Sequence, residues 1–143
     1  TKSNVLAESR LFATLDPSSR RLRFPKDSEV IITDTVGFIK DLPKDLLVAF
    51  RATLEELDSA DLLLHIIDIS NPRYLSQINS VERILSDLKL QHTPTMRVLN
   101  KIDRVDPDII PDLTRKLNGM AISARQKSTL KPLIKRMEAV LFE

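Results

Sequence analysis

The stretch LLLHIID at residues 62–68 is apolar on both sides of the pleat, and it constrains everything around it. A strand with no face for water belongs inside a parallel sheet, covered on both sides. The cover must come from helices, because parallel neighbours need long crossover connections. Amphipathic stretches do alternate with apolar runs along this chain, the pattern of βαβ units in an α/β fold. Strands are predicted at 21–24, 30–34, 62–68, 95–100 and 120–123, with helices at about 44–57, 72–88, 107–117 and 130–141. Leu46, Leu47, Phe50, Leu54 and Leu57 recur at helical spacing in the first helix. Leu75, Ile78, Val81, Leu85 and Leu88 do so in the second. Pro72 and Pro107 suit first helical turns behind the capping residues Asn71 and Asp106, and Gly119 suits a helix end. The short polar link PKDSE between the first two strands predicts an antiparallel edge hairpin.

A chain of 143 residues is long enough for one domain with a proper core. With 22 basic and 20 acidic residues, the net charge of +2 is too small to argue for nucleic acid by itself. The absence of cysteine excludes disulfides and thiolate chemistry within these residues and suits a reducing cytoplasm, the expected location. No apolar run approaches the length of a membrane span, so no membrane span is expected.

VLNKID carries the strongest chemical signal. Asn100, Lys101 and Asp103 fall where a buried strand ends, the ligand edge of an open α/β sheet. A carboxylate there can accept both in-plane N–H donors of guanine, whereas adenine offers the wrong pattern. The asparagine can brace neighbouring loops and the lysine stem can cover the base. The plainer reading is a solvated turn capping the next helix. A chance N-K-x-D in a chain of this length has a likelihood of only about a few per cent, and its place after a strand favours base reading.

AISAR, about twenty residues further on, follows the last predicted strand. There the Ala124 amide can donate to the guanine oxygen while Ser123 braces the loop. D-x-x-G at Asp34 and Gly37 is weaker, since it arises by chance in about every other chain of this length. It ends a hydrophobic strand, as a phosphate sensor would, though a plain strand-to-helix turn would use its glycine equally well. Thr14, in the loop LFATLDPSSRRL, can offer magnesium a hydroxyl, as many loop threonines could. The basic cluster Arg20, Arg21, Arg23 and Lys26 reads as a solvated strand edge or as a contact for RNA phosphates. QKSTL at 126–130 imitates the end of a phosphate loop, but it lacks the glycine and comes too late. Ser128 or Thr129 there is expected to be a helix N-cap. His65 is expected in the core, and His92 in a loop without metal-ligand neighbours.

The order of a switch threonine, D-x-x-G, N-K-x-D and S-A resembles the translation-factor class of P-loop GTPases. The segments LFATLDPSSRRL, TDTVGFIKDLP, LLVAFRATLEEL and ADLLLHIIDIS narrow the resemblance to the HflX family of ribosome-associated GTPases, over nearly the whole chain. That resemblance implies binding of GTP and GDP with Mg2+ and slow hydrolysis in the intact protein. It also implies association with the large ribosomal subunit and its RNA. It assigns Thr14 and Asp34 to the metal and Gly37 to the second switch. Asn100, Lys101, Asp103, Ser123 and Ala124 then fall to the base. The hydrophobic Phe38 after the switch implies that the water is positioned by something other than a glutamine there.

The family's first strand and its phosphate loop, G-x-x-x-x-G-K-S/T, are absent from these 143 residues, and the chain opens on Thr1. The expectation is therefore a single G domain lacking those two parts, with further residues upstream. Three missing charge-assisted hydrogen bonds, at about 1.5–3 kcal/mol each, would remove about three to six decades of affinity. This chain alone is thus expected to bind GTP very weakly and to hydrolyse it negligibly. A gap in the sheet would also invite self-association. The competing readings are a non-hydrolysing RNA- or protein-interaction module on the same fold, and a related GTPase with another target.

Overall fold

The computed structural model describes residues 19–25, 28–33, 56–87 and 89–142. The predicted helix at 44–57 lies outside them except for its end, where Glu56–Ser59 forms a 3-10 turn. The chain divides into two compact units, residues 1–60 with 79–91, and residues 61–78 with 92–143.

In the first unit β1 (Ser19–Arg23) and β2 (Glu29–Thr33) pair antiparallel, Arg20 opposite Ile32 and Arg21 opposite Ile31. This is the hairpin expected from PKDSE. Its closing turn is tied by the Phe24 amide, which donates to the Ser28 carbonyl at 2.8 Å, and Phe24 is buried. Arg23 Nη2 meets Glu29 Oε1 at 2.8 Å across the strands. Both side chains are exposed, so the pair adds at most about 1 kcal/mol.

In the second unit β3 (Leu63–Asp68), β4 (Thr95–Asn100) and β5 (Gly119–Ala121) form a parallel sheet in the order β3-β4-β5. The middle strand is β4, whose Val98 and Leu99 are fully buried. Among the described residues β3 is hydrogen-bonded on one side only. Ile66 on that strand is 52% exposed, and the doubly apolar pattern is therefore only half used here.

Three helices are described: α1 (Tyr74–Asp87), α2 (Ile110–Leu117) and α3 (Leu130–Phe142). The inward stripe of α1 runs through Ile78 and Val81, which are buried, and Tyr74 and Leu85, which are half-buried, rather than through Leu75, which is 46% exposed. Those four positions keep helical spacing with the tyrosine at the head, which places Leu75 off the face. One cluster packs Ile67, Ile69 and Ile78 with Leu99 and Leu117, and Leu113 and Val105 close around it.

Asp106 Oδ1 accepts from the Asp108 amide at 2.9 Å with Pro107 in the first turn, as expected for that start. Asn71 Oδ1 accepts from the Arg73 amide at 2.9 Å, ahead of α1. The helix end assigned to Gly119 belongs instead to Asn118, which takes the left-handed conformation at φ 51°, ψ 55°. Arg97 Nη1 from β4 donates to the Leu117 carbonyl at 3.0 Å, satisfying a group that the ended helix leaves free.

Gly119 serves a different purpose, because it opens β5 where that strand lies close against β4. A Cβ there would sit 3.1 Å from the Arg97 carbonyl oxygen and equally close to the Leu99 side chain. The backbone oxygen has no room to give. Gly119→Ala is therefore expected to destabilise the chain by about 1–3 kcal/mol, read as a lower urea midpoint at unchanged slope.

Candidate functional site

Because β3, β4 and β5 run parallel, their C-terminal ends share one edge of the sheet. Asp68 and Asn100 are register partners there. The ladder continues past β5, as the Ile122 amide donates to the Leu99 carbonyl at 2.8 Å and the Ile102 amide to the Ile122 carbonyl at 3.2 Å. These bonds hold the loop after β4 beside the loop after β5.

The side chains then lock the two loops together. Asn100 Oδ1 accepts from its neighbour's amide, Lys101 N, at 2.8 Å and from Ala124 N at 3.1 Å. The fully buried Ser123 donates through Oγ to Asp103 Oδ1 at 2.9 Å. Thr129 Oγ1 accepts from the Ser123 amide at 2.9 Å. It lies close enough to donate to the Gln126 carbonyl, at 2.7 Å, or to that of Ser123, at 2.9 Å. Neither Ser128 nor Thr129 is an N-cap as expected. Both lie within the 3-10 turn Lys127–Thr129, whose N-cap is Gln126, and Thr129 spends its hydroxyl on the site loop.

Lys101 adopts φ 67°, ψ 36°, a left-handed conformation that costs a non-glycine residue on the order of 1 kcal/mol. The bond from its own amide to Asn100 and the Arg104 amide donating to its carbonyl at 3.0 Å hold it there. Its ammonium reaches back to β3, with Nζ 2.9 Å from Asp68 Oδ2. Asp68 Oδ1 accepts from the Ser70 hydroxyl at 2.6 Å and the Ser70 amide at 3.0 Å. Burial works to raise the Asp68 pKa, but the Ser70 hydroxyl, the Lys101 ammonium and the Ser70 amide together outweigh it. The carboxyl is held below its ordinary value of 3.8.

A cavity of about 190 Å³ opens among these groups, lined by Asn100, Lys101, Asp103, Arg104, Ser123, Ala124 and Arg125. Drug-sized ligands occupy pockets of about 300–1,000 Å³, so this one suits a planar base more than a whole nucleotide. All five residues that the sequence assigned to the base line it. Arg104 and Arg125 were missed, although each directly follows a residue already singled out. Asp68 and Ser70 were missed as well, since nothing in IIDIS marks them until the fold brings them to Lys101.

Thr14, Asp34, Gly37, Phe38 and Lys26 lie outside the described residues. Arg20 and Arg21 are exposed on β1, while His65 is half-buried in β3 and His92 is exposed in a loop. Among the described residues there is no cluster of histidine, aspartate or glutamate that could hold a metal ion, and no helix long and apolar enough to cross a membrane.

The family described as 50S ribosome-binding GTPase matches residues 1–101 of this chain. The chain belongs to that family. Within it the chain resembles the HflX GTPases, which the wording of its motifs suggested. It is 44% identical over 140 residues to GTPase HflX of Magnetococcus marinus, covering 96% of this chain and 32% of that protein. It is 46% identical over 143 residues to GTPase HflX of Caldanaerobacter subterraneus, covering all of this chain and 32% of that protein. The chain thus spans about a third of the length of the curated relatives it matches. Among solved structures, a substitution variant of SsGBP superposes with a TM-score of 0.76 at 26% identity, over 96% of this chain and 51% of that one. Era in complex with MgGDPNP and a segment of 16S ribosomal RNA gives 0.68 at 24% identity, over 92% of this chain and 46% of that one, a likeness of fold.

Two outcomes follow for this cluster of side chains. Asn100→Ala removes the acceptor of two loop amides and is expected to cost about 1–3 kcal/mol in urea unfolding. For Asp68 the sign is set by a folded pKa below the unfolded one: its contribution is present above pH 3.8 and is lost as pH falls through the folded value. The gap in urea midpoint between wild type and Asp68→Asn should therefore be full at pH 7 and close as the pH drops below 3.8.

Proposed function

We propose that this chain is the guanine-reading part of the G domain of an HflX-like GTPase. The observation that carries the reading is the Ser123–Asp103 bond beside the Asn100 bridge, at the mouth of a base-sized cavity. The serine engages one carboxylate oxygen of Asp103 and leaves the group room to accept from N1–H and N2–H of guanine. Adenine presents an acceptor where guanine presents N1–H, so it would meet the carboxylate unfavourably. The amide of Ala124 is held by Asn100 at 3.1 Å, and a guanine oxygen would share or take that donor.

Phosphates fare differently. The two glycines of the chain are Gly37 and Gly119, and no G-x-x-x-x-G-K-S/T occurs among its residues. Nothing of that kind cradles a phosphate here. Recognition by this chain alone is accordingly recognition of the base, and hydrolysis by it is negligible. In the intact protein we assign GTP hydrolysis, with Thr14 and Asp34 as the residues that would meet Mg2+, Gly37 as the phosphate-sensing amide and Phe38 as the residue coupled to it. The intact protein's target is the large ribosomal subunit, a reading supported by the family to which the chain belongs. The exposed Arg20 and Arg21 favour a second role for the β1–β2 hairpin, contact with RNA phosphates. In that case co-sedimentation with large subunits weakens as salt rises, and Arg20→Ala with Arg21→Ala flattens the dependence.

Saturation-transfer NMR with guanosine, GDP and ADP tests the base reading on the chain itself. Guanosine and GDP should bind comparably, and both better than ADP. Asp103→Asn is expected to weaken guanosine about 10- to 100-fold, the loss of charge-assisted bonds worth about 1.5–3 kcal/mol. Equal binding of ADP, or an indifferent Asp103→Asn, would sink the assignment.

A further inference from the structure

We propose that Asp68, steadied by Ser70, is a positioning residue for the base site: it anchors the Lys101 ammonium at the end of β3 so that the lysine stem forms a wall of the cavity. The inference rests on the guanine reading given above and adds to it an affinity-supporting residue from a different strand.

The geometry has three parts. Lys101 lines the cavity and its Nζ is bound to Asp68 Oδ2 at 2.9 Å, so its stem spans the distance between the ends of β4 and β3. The carboxylate that receives it is fixed in turn, since Ser70 donates twice to the other oxygen, at 2.6 and 3.0 Å. The lysine backbone is held in a left-handed conformation by bonds to its amide and carbonyl, so both ends of the side chain are anchored. A four-carbon stem on a surface normally samples many rotamers, and immobilising one on binding costs about 0.5–1.5 kcal/mol. Here that cost is met before the base arrives.

A chemical consequence follows. An ammonium engaged by a carboxylate on β3 offers the ligand hydrocarbon rather than charge. The lysine therefore acts on the apolar face of the base, and its contribution should be the same for guanosine and for GDP. Ser70 acts one step further away, through Asp68.

A double-mutant cycle reads this directly, with guanosine and GDP affinities of the 143-residue chain measured by NMR titration. Asp68→Asn should weaken guanosine about 3- to 10-fold, a change of about 0.7–1.4 kcal/mol. Lys101→Met keeps most of the stem but loses the anchored ammonium, and should cost about as much as Asp68→Asn. In the Lys101→Met background Asp68→Asn should have no further effect. Asp68→Glu, which keeps the carboxylate, should recover part of the loss. Should Asp68→Asn fail to fold, Ser70→Ala provides the same test, with about a twofold loss that vanishes in the Lys101→Met background.

Equal losses in both backgrounds would show that Asp68 supports only the fold, and would overturn the proposal while leaving the guanine reading intact. No loss at all would overturn it too. If the wild-type chain bound guanosine no better than adenosine, the guanine reading itself would fail and this inference with it.

Discussion

The structure of the second unit depends on β4 being hydrogen-bonded along both edges. Parallel pairing to β3 and to β5 buries Val98 and Leu99 completely and aligns three strand ends. A parallel ladder leaves no choice about polarity: if β4 ends at Asn100, the loops after β3 and β5 emerge beside it. The site is a consequence of that alignment. Each of its connections, from Asn100 to Ala124, from Ser123 to Asp103 and from Lys101 to Asp68, joins residues that follow or end one of these three strands.

The site also shows how its polar groups offset the burial that holds them. Ser123 is fully buried, and its hydroxyl and amide both have partners, in Asp103 and Thr129. Asn100 spends its carbonyl oxygen on two amides that the turns would otherwise leave free. Buried polar groups are tolerated where they are satisfied in this way, and a network of this kind fixes one loop arrangement among many. The strained backbone of Lys101 fits the same picture. A left-handed lysine persists because the bonds on either side of it outweigh its cost.

The pattern of apolar and amphipathic segments was enough to read strands, helices and their alternation, because side-chain periodicity reflects local geometry. The span of β4 was read to the residue, and the edge hairpin from a five-residue polar link. Misreadings occurred where a local preference had more than one solution. Asn118 takes a left-handed cap as glycine would, which left Gly119 free for close packing against β4. Thr129 has the chemistry of an N-cap, but its hydroxyl found the Ser123 amide instead.

By itself the sequence singled out N-K-x-D and S-A, in order and each after a strand, and so named five residues that line one cavity. Motif letters can do this because they mark residues at strand ends, and parallel strands bring their ends to one edge of the sheet. Only the tertiary structure decided which groups hold those residues in position. Asp68 stands 33 positions from Lys101 along the chain and has no motif of its own. Its role exists only because parallel pairing brings the end of β3 within a salt bridge of the loop after β4.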